Sequence, residues 1–418
     1  VTNQADILFL DHVGVLGGAE LSLRDVACHF GDRGRVVLLA DGPFRELLEQ
    51  CGVDVDVVAA AARLTGTRRD ANATTALRSI PSVVRLIGRL YPHARRSKLL
   101  YANSQKAFVV ASLLGVLARR PVIWHLRDVL SEEHFSATNR RVTTRLARLS
   151  RARVIANSDA TRDALIDAGG RADRVVTIHN GIAPDPFDAV EDADVTTVRN
   201  ELGLDPSTWL IGAFSRLATW KGQHVLIEAL AQTPGVHGVI VGEALFGEQR
   251  YRERLCRQID QLNLTDRVHM LGFRDDVPRL MKACNAIAHT SIAPEPFGRV
   301  IVEGMLARRP VIASRAGGGC EIITGEDHGI LVTPGDPSDL ADAIDRLRGD
   351  EAWAERLAAG GRRRAEATFS VKTMLERIEE QITATLTNGR QPAPNDAHEP
   401  NAQPRPGPTV SHPKSPLP

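Results

Sequence analysis

Two consecutive doubly wound α/β domains are the fold class that this sequence predicts, and three observations predict it. Short apolar runs rich in β-branched residues alternate with helical patterns almost from end to end. The runs are near-continuously apolar rather than alternating, which suits parallel strands covered on both faces. At 418 residues the chain is too long for one ordinary core, and 43% hydrophobic residues are ample for two.

The elements follow in order. DILFL, RVVLLA, VDVDVVA, KLLYA, PVIWHL, RVIAN and VVTIH read as the strands of the first domain, with helices such as AELSLRDVACHF between them. After NGIAPDPF the pattern breaks into the polar, acidic stretch AVEDADVTT, which reads as a linker. A second series then starts with WLIGAF, HGVIVG, RVHML, AIAHTS, RPVIAS and GILV. The expected division is 1–182 for the first domain, 183–207 for the linker and 208–360 for the second domain, with closing helices over 361–387. Val371, Met374, Leu375, Ile378 and Ile382 form the apolar stripe of the last helix. From 388 to 418 the chain is rich in Pro and poor in apolar residues, so it is expected to be a disordered tail.

Composition narrows the function. A net charge of +1 gives no bulk electrostatic case for nucleic acid. Cys28, Cys51, Cys256, Cys284 and Cys320 lie far apart, without metal spacing, which argues for reduced thiols. The opening residues lack a basic segment before their short apolar run, and no long apolar stretch follows. A cytoplasmic protein is expected.

The most informative stretch is EPFGRVIVEGMLARRPVIAS, from Glu295 to Ser314. In an open α/β sheet, ligands sit beyond the carboxyl ends of the strands. AIAHTS is such a strand, and its exit loop leads to Glu295 and to a helix starting near Phe297 or Gly298. Free backbone N–H groups at a helix start suit a phosphate, and Gly298 permits close approach. Glu303, further along that helix, is able to accept hydrogen bonds from a vicinal hydroxyl pair such as a ribose. Taken singly, Glu295 reads as a turn residue and Glu303 as a solvated helix position.

A second stretch, GAFSRLATWKGQHVLIEAL, shifts that balance. Arg216 and Lys221 flank a short strand-to-helix loop, where two cations suit a diphosphate. In LDHVGVLGGAELSL, Gly14, Gly17 and Gly18 form a Gly-rich first loop that lacks the GxGxxG spacing of dinucleotide binders. Asp54 and Asp56 form a DxD, but alternating with valine they read as one face of a strand. No metal site is expected.

Together EPFG…E, FSRL…KG, GGAE and AGGGCEII resemble the retaining GT-B glycosyltransferases of family 4, over residues 6 to 387. The resemblance implies two Rossmann-like domains facing across a cleft, the first binding a hydroxyl acceptor and the second a nucleotide-sugar donor. It implies that Glu295 holds the donor sugar's hydroxyls and Glu303 the ribose. Phe297, Gly298 and Arg299 would bind the sugar and diphosphate, Arg216 and Lys221 the leaving diphosphate, and Gly17 and Gly18 the phosphate from across the cleft. His125, in VIWHLRD, matches a histidine found near the sugar, although it also reads as a packed strand-end residue. The closing helix would cross back onto the first domain. Gly318-Gly319-Cys320-Glu321 departs from the family's Gly-x-Pro-Glu, which bears on local loop shape. No cofactor and no metal are implied. The donor would be a UDP- or GDP-hexose, with the product a glycan, glycolipid or glycoconjugate. The rival expectations are a nucleotide-sugar epimerase or phosphorylase of the same layout, and a non-catalytic nucleotide-sugar binder.

Residues 140–153, RRVTTRLARLSRAR, put Arg141, Arg145, Arg148 and Arg151 on a helical stripe beside Val142, Leu146 and Leu149. Such a stripe is more often the solvated face of a packed helix; the alternative is peripheral contact with anionic lipid.

Overall fold

The computed structural model describes residues 6–60, 73–133, 135–245 and 247–388. The expected disorder of the Pro-rich tail falls, from residue 389 onward, outside the described residues.

Two parallel sheets form the architecture. The first contains β1 (Ile7–Asp11), β2 (Gly34–Leu38), β3 (Asp54–Val57), β4 (Leu99–Ala102), β5 (Val122–Leu126), β6 (Arg153–Ala156) and β7 (Val175–Thr177). Their order is β3-β2-β1-β4-β5-β6-β7. The second contains β8 (Trp209–Phe214), β9 (Val236–Val241), β10 (Val268–Gly272), β11 (Ala286–His289), β12 (Val311–Ser314) and β13 (Ile330–Val332), in the order β10-β9-β8-β11-β12-β13. Each strand run read from the sequence is one of these strands. Neighbours pair in parallel, and the central strands are buried along their length. That burial on both faces is why they are apolar without alternation.

In both sheets the order reverses once, between β1 and β4 and between β8 and β11. At such a reversal the connecting helices leave to opposite faces, and a crevice opens beyond the strand ends. The Gly17–Gly18 loop follows β1, Arg216 and Lys221 follow β8, and Glu295 follows β11. The topology therefore gathers the candidate residues at the two reversal points.

The acidic segment 183–207, read as a linker, is mostly helical, with helices at Asp185–Asp188 and Asp192–Glu201. Phe187, Val198 and Leu204 are buried in the core of the second sheet, so this segment belongs to that core. Its surface acids obscured the buried positions. The last helix, Val371–Asn388, lays Met374, Ile378 and Ile382 against Ile7, Phe9, Leu23 and Tyr101 of the first domain. Arg153 Nε donates to Gln381 Oε1 at 3.0 Å, and Arg377 to the Thr177 carbonyl at 2.8 Å. Among the described residues no helix is long and apolar enough to cross a membrane.

Candidate active site

The site begins with two loops that hold each other. Thr290 Oγ1 donates to the Lys221 carbonyl at 3.0 Å, and the Ile292 N–H to the Trp220 carbonyl at 2.8 Å. This stitching brings the side chain of Lys221 onto Glu295. The Lys221 ammonium lies 2.6 Å from Glu295 Oε2, with the two side chains only 14% and 12% exposed. Ser291 Oγ donates to the same oxygen at 3.0 Å, and His289 Nε2 stands 3.3 Å from it. Burial alone would raise the Glu295 pKa, but the Lys221 charge and His289 outweigh it and hold the carboxyl well below the usual carboxylate range. Glu295 is thus a fixed negative charge at the crevice.

The next helix runs from Arg299 to Leu306 with Gly298 as its N-cap, one residue later than the nearer of the two expected starts. Phe297 is buried and packs edge-on against Phe369, with ring centroids 5.6 Å apart. Arg299 and Glu303 face the same way one turn apart, Nη2 to Oε1 at 3.3 Å. The other guanidinium nitrogen of Arg299, Nη1, is buried and has no partner among the described residues. Arg216 stacks over Trp220 at 5.6 Å, and Lys221 over the same ring at 4.3 Å.

The first domain meets this surface at Gly18. A β-carbon on Gly18 would fall 2.8 Å from Cδ of Arg299, so the absence of a side chain lets the two domains touch there. Gly17 and Gly18 lead the helix Gly18–Phe30, whose first turn has no side-chain cap.

Residues 194–364 match the family described as glycosyl transferases group 1, and residues 17–181 the glycosyl transferase 4-like domain. Anabaena Alr3699/HepE, solved in complex with UDP-glucose, has a TM-score of 0.83 and 43% identity over 90% of this chain and 99% of its own. The chain belongs to the group 1 glycosyltransferases of GT-B fold. The lipopolysaccharide core biosynthesis glycosyltransferase LpsD of Rhizobium meliloti is 34% identical over 178 residues, covering 43% of this chain and 50% of that one. The D-inositol 3-phosphate glycosyltransferase of Corynebacterium jeikeium is 32% identical over 256 residues, 57% of this chain and 60% of its own. This GT-B chain therefore spans about half the length of the relative LpsD that it matches.

Within the group 1 glycosyltransferase, the expected residues fall into two networks. Arg216, Lys221 and Glu295 follow β8 and β11, Gly298, Arg299 and Glu303 belong to the next helix and its cap, Phe297 is buried against Phe369, and Gly18, next to Gly17, approaches Arg299 from the first domain. His125 lies apart from Glu295, fully buried at the end of β5. Its Nδ1 is held by the Tyr101 hydroxyl and by Arg127 Nη2 at 3.1 Å. Burial and the Arg127 charge push its pKa down, so it is neutral. Arg127 also donates to Asn103 Oδ1 at 2.7 Å and Asn180 Oδ1 at 2.9 Å, and Asn103 to Asp11 at 2.6 Å.

Sequence reasoning assigned no role to several residues of this GT-B site. His289 and Ser291 flank Glu295 and were visible only as the end of AIAHTS. Glu20, in GGAE, is a buried acid beside Gly17, and burial, with Asp11 adding to it, pushes its pKa up to about 8. Glu321, in AGGGCEII, reaches the other domain: its carboxylate accepts from the Asp159 and Ala160 N–H groups, each at 2.8 Å, and from His179 Nε2 at 2.9 Å.

Asp159, His179 and Glu321 are also the metal-ligand types that cluster among the described residues. Their atoms are already engaged, since Asp159 Oδ1 accepts from Thr177 Oγ1 at 2.6 Å and pairs with Arg162. Asp54 and Asp56, the DxD, both pair with Arg35 on the neighbouring strand β2. Both groups read as protein–protein contacts.

Proposed function

We propose that this glycosyltransferase moves a hexose from a UDP-sugar to a hydroxyl acceptor, with retention at the anomeric carbon and without a metal ion. The observation that carries the reading is the convergence of Lys221 on Glu295, followed four residues on by Arg299 with a buried, unpaired nitrogen. The 43% identity to a chain solved with UDP-glucose, over 99% of that chain, supports uracil as the base and a hexose as the sugar. LpsD, by its name, supports glycan or glycolipid biosynthesis as the setting.

In this reading Arg216, Lys221 and Arg299 bind the diphosphate, together with the N–H groups at the start of the helix Arg299–Leu306 and the Gly17–Gly18 turn. Glu303 takes the ribose hydroxyls and Glu295 those of the sugar. Breaking the anomeric C–O bond builds negative charge on the diphosphate and positive charge on the sugar. Fixed cations and helix-end amides favour the first, and an ionised Glu295 favours the second, both more in the transition state than in the ground state. His125, neutral and held by Tyr101 and Arg127, keeps a buried Nε2 without a partner among the described residues, and that free nitrogen is what supports a place for it near the sugar.

The acceptor side adds a second element, peripheral contact with an anionic membrane. The helix Ala137–Leu149 contains Arg140, Arg141, Arg145 and Arg148 and no acid, and it leaves Val142 and Leu149 46% and 63% exposed. Arg151 lies beyond that helix in a left-handed turn (φ 51°), so the stripe is one turn shorter than the sequence suggests.

A thermal-shift panel of UDP, GDP, ADP, CDP and dTDP, with and without magnesium, tests the donor reading. UDP at about 100 times its dissociation constant should add roughly 2.7 kcal/mol of stability without metal. A response only to another nucleotide, or only with magnesium, would overturn the UDP or the metal-free part respectively.

A further inference from the structure

The contact made by Glu321 lies outside the donor site yet reaches both sides of the Glu295 loop. Glu321 sits on the turn Gly319–Ile322, after β12, in the donor domain. Its carboxylate closes the start of the helix Asp159–Asp167 in the acceptor domain, where Ser158 Oγ takes the next N–H, that of Thr161, at 3.0 Å. All three first-turn donors are thereby satisfied, two of them by a residue from the other domain. A carboxylate at that end is also favoured by the helix dipole.

The same two segments grip the loop of Glu295. Just before Glu321, the Gly318 N–H donates to the Glu295 carbonyl at 2.9 Å. Gly317, at φ +56°, packs so close that a β-carbon would fall 2.3 Å from that carbonyl oxygen. Across the interface, Thr161 Oγ1 donates to the carbonyl of Pro296, the neighbour of Glu295, at 3.2 Å. Three consecutive acceptor-domain residues therefore bond the two donor-domain segments that enclose Glu295. His179, which completes the Glu321 set, packs edge-on against Phe369 at 5.6 Å and lies 6.1 Å from Phe297.

We propose that Glu321 is a cross-domain positioning residue, which locks the Glu295 loop in register with the acceptor domain through the start of the helix Asp159–Asp167. It does not meet the donor and acts through Glu295. Closing the domains sets the loop, and separating them frees it. The activity readout below rests on the proposed UDP-sugar reading; the domain contact itself does not.

The test is Glu321→Gln, which keeps the size of the side chain but removes its charge and one acceptor oxygen, alongside Glu321→Asp and Thr161→Val. UDP affinity by calorimetry should stay within about threefold of wild type, while UDP release from UDP-glucose falls by about tenfold or more. Thr161→Val should show the same split more weakly, and Glu321→Asp should recover part of the rate. Small-angle scattering of the ligand-free protein should show a larger radius of gyration for Glu321→Gln. Equal losses in affinity and rate, or an unchanged rate, would overturn the proposal, as would an unchanged radius of gyration. A wild-type protein that neither binds UDP nor releases it would overturn the donor reading instead, and the scattering comparison then decides the domain contact on its own.

Discussion

The ammonium of Lys221 and the carboxylate of Glu295, 74 residues apart in sequence, form a buried ion pair 2.6 Å long at the reversal point of the second sheet. The Lys221 charge helps to hold the buried Glu295 carboxyl ionised. Removing the lysine leaves a carboxylate buried beside only His289 and Ser291, and breaking such a pair costs about 3–5 kcal/mol. Lys221→Ala should therefore lower stability by about that amount in urea unfolding and also abolish UDP binding. Loss of binding with full stability would separate the two roles.

Glu295→Gln should remove most sugar transfer, about 100-fold or more, because the charge that meets the developing cation is gone. UDP affinity should change little, since the role proposed for the carboxylate is toward the sugar rather than the nucleotide. Parallel measurements of UDP affinity and of UDP release from UDP-glucose check this. A large loss of UDP affinity would move Glu295 to the diphosphate.

Glu303→Ala should act in the opposite sense. Loss of the acceptor proposed for the ribose hydroxyls, and of the contact with Arg299, should weaken UDP binding by about tenfold or more. The rate at saturating donor should stay near wild type. An unchanged donor affinity would refute the ribose role.

Glu20 makes a prediction in pH. Its pKa, pushed up to about 8 by burial and Asp11, lies above its unfolded value. Its contribution to stability is therefore complete below the ordinary carboxyl range and is lost as pH rises through 8. Arg127 opposes that loss and Asp128 adds to it. Wild type should lose up to about 1.4 kcal/mol per pH unit across that window on this group's account. Glu20→Gln should flatten the slope in urea unfolding between pH 5 and pH 9. A slope equal to wild type would show that Glu20 titrates normally.

Membrane contact is checked by co-sedimentation with vesicles rich in anionic phospholipid. Wild type should bind at low salt, and an Arg141→Glu, Arg145→Glu double variant should lose most of that binding, since each basic residue near the surface contributes about 1 kcal/mol. Binding by neither protein would leave the helix as a solvated face.

The sequence showed the strands and the one-domain pieces of the site clearly. Thirteen strands were legible because burial on both faces leaves near-continuous apolar runs. Glu295 and Glu303 were legible because both lie in one strand-to-helix segment, and Arg216 and Lys221 because they bracket another. What could not be read was any relation between segments. Glu321 meets Ala160 across 161 positions, and Arg127 meets Asn180 across 53, distances at which no spacing rule operates. The helices at 185–201 were hidden for a different reason: their exposed acids dominate the composition, while burial rests on a few positions such as Val198.

The last helix places Met374, Ile378 and Ile382 in the core that contains Ile7 and Phe9. Of the two domains, the first is therefore translated before the second but finished after it. Its apolar face, opened from β1 onward, lacks this helix until residue 382 has been synthesised, whereas the second domain can condense around residues made together. A nascent chain in that interval exposes a surface of the kind that chaperones bind and that aggregates form on. A fragment ending near residue 182 would carry the same exposed face permanently, so the first domain is contiguous in space but not in sequence.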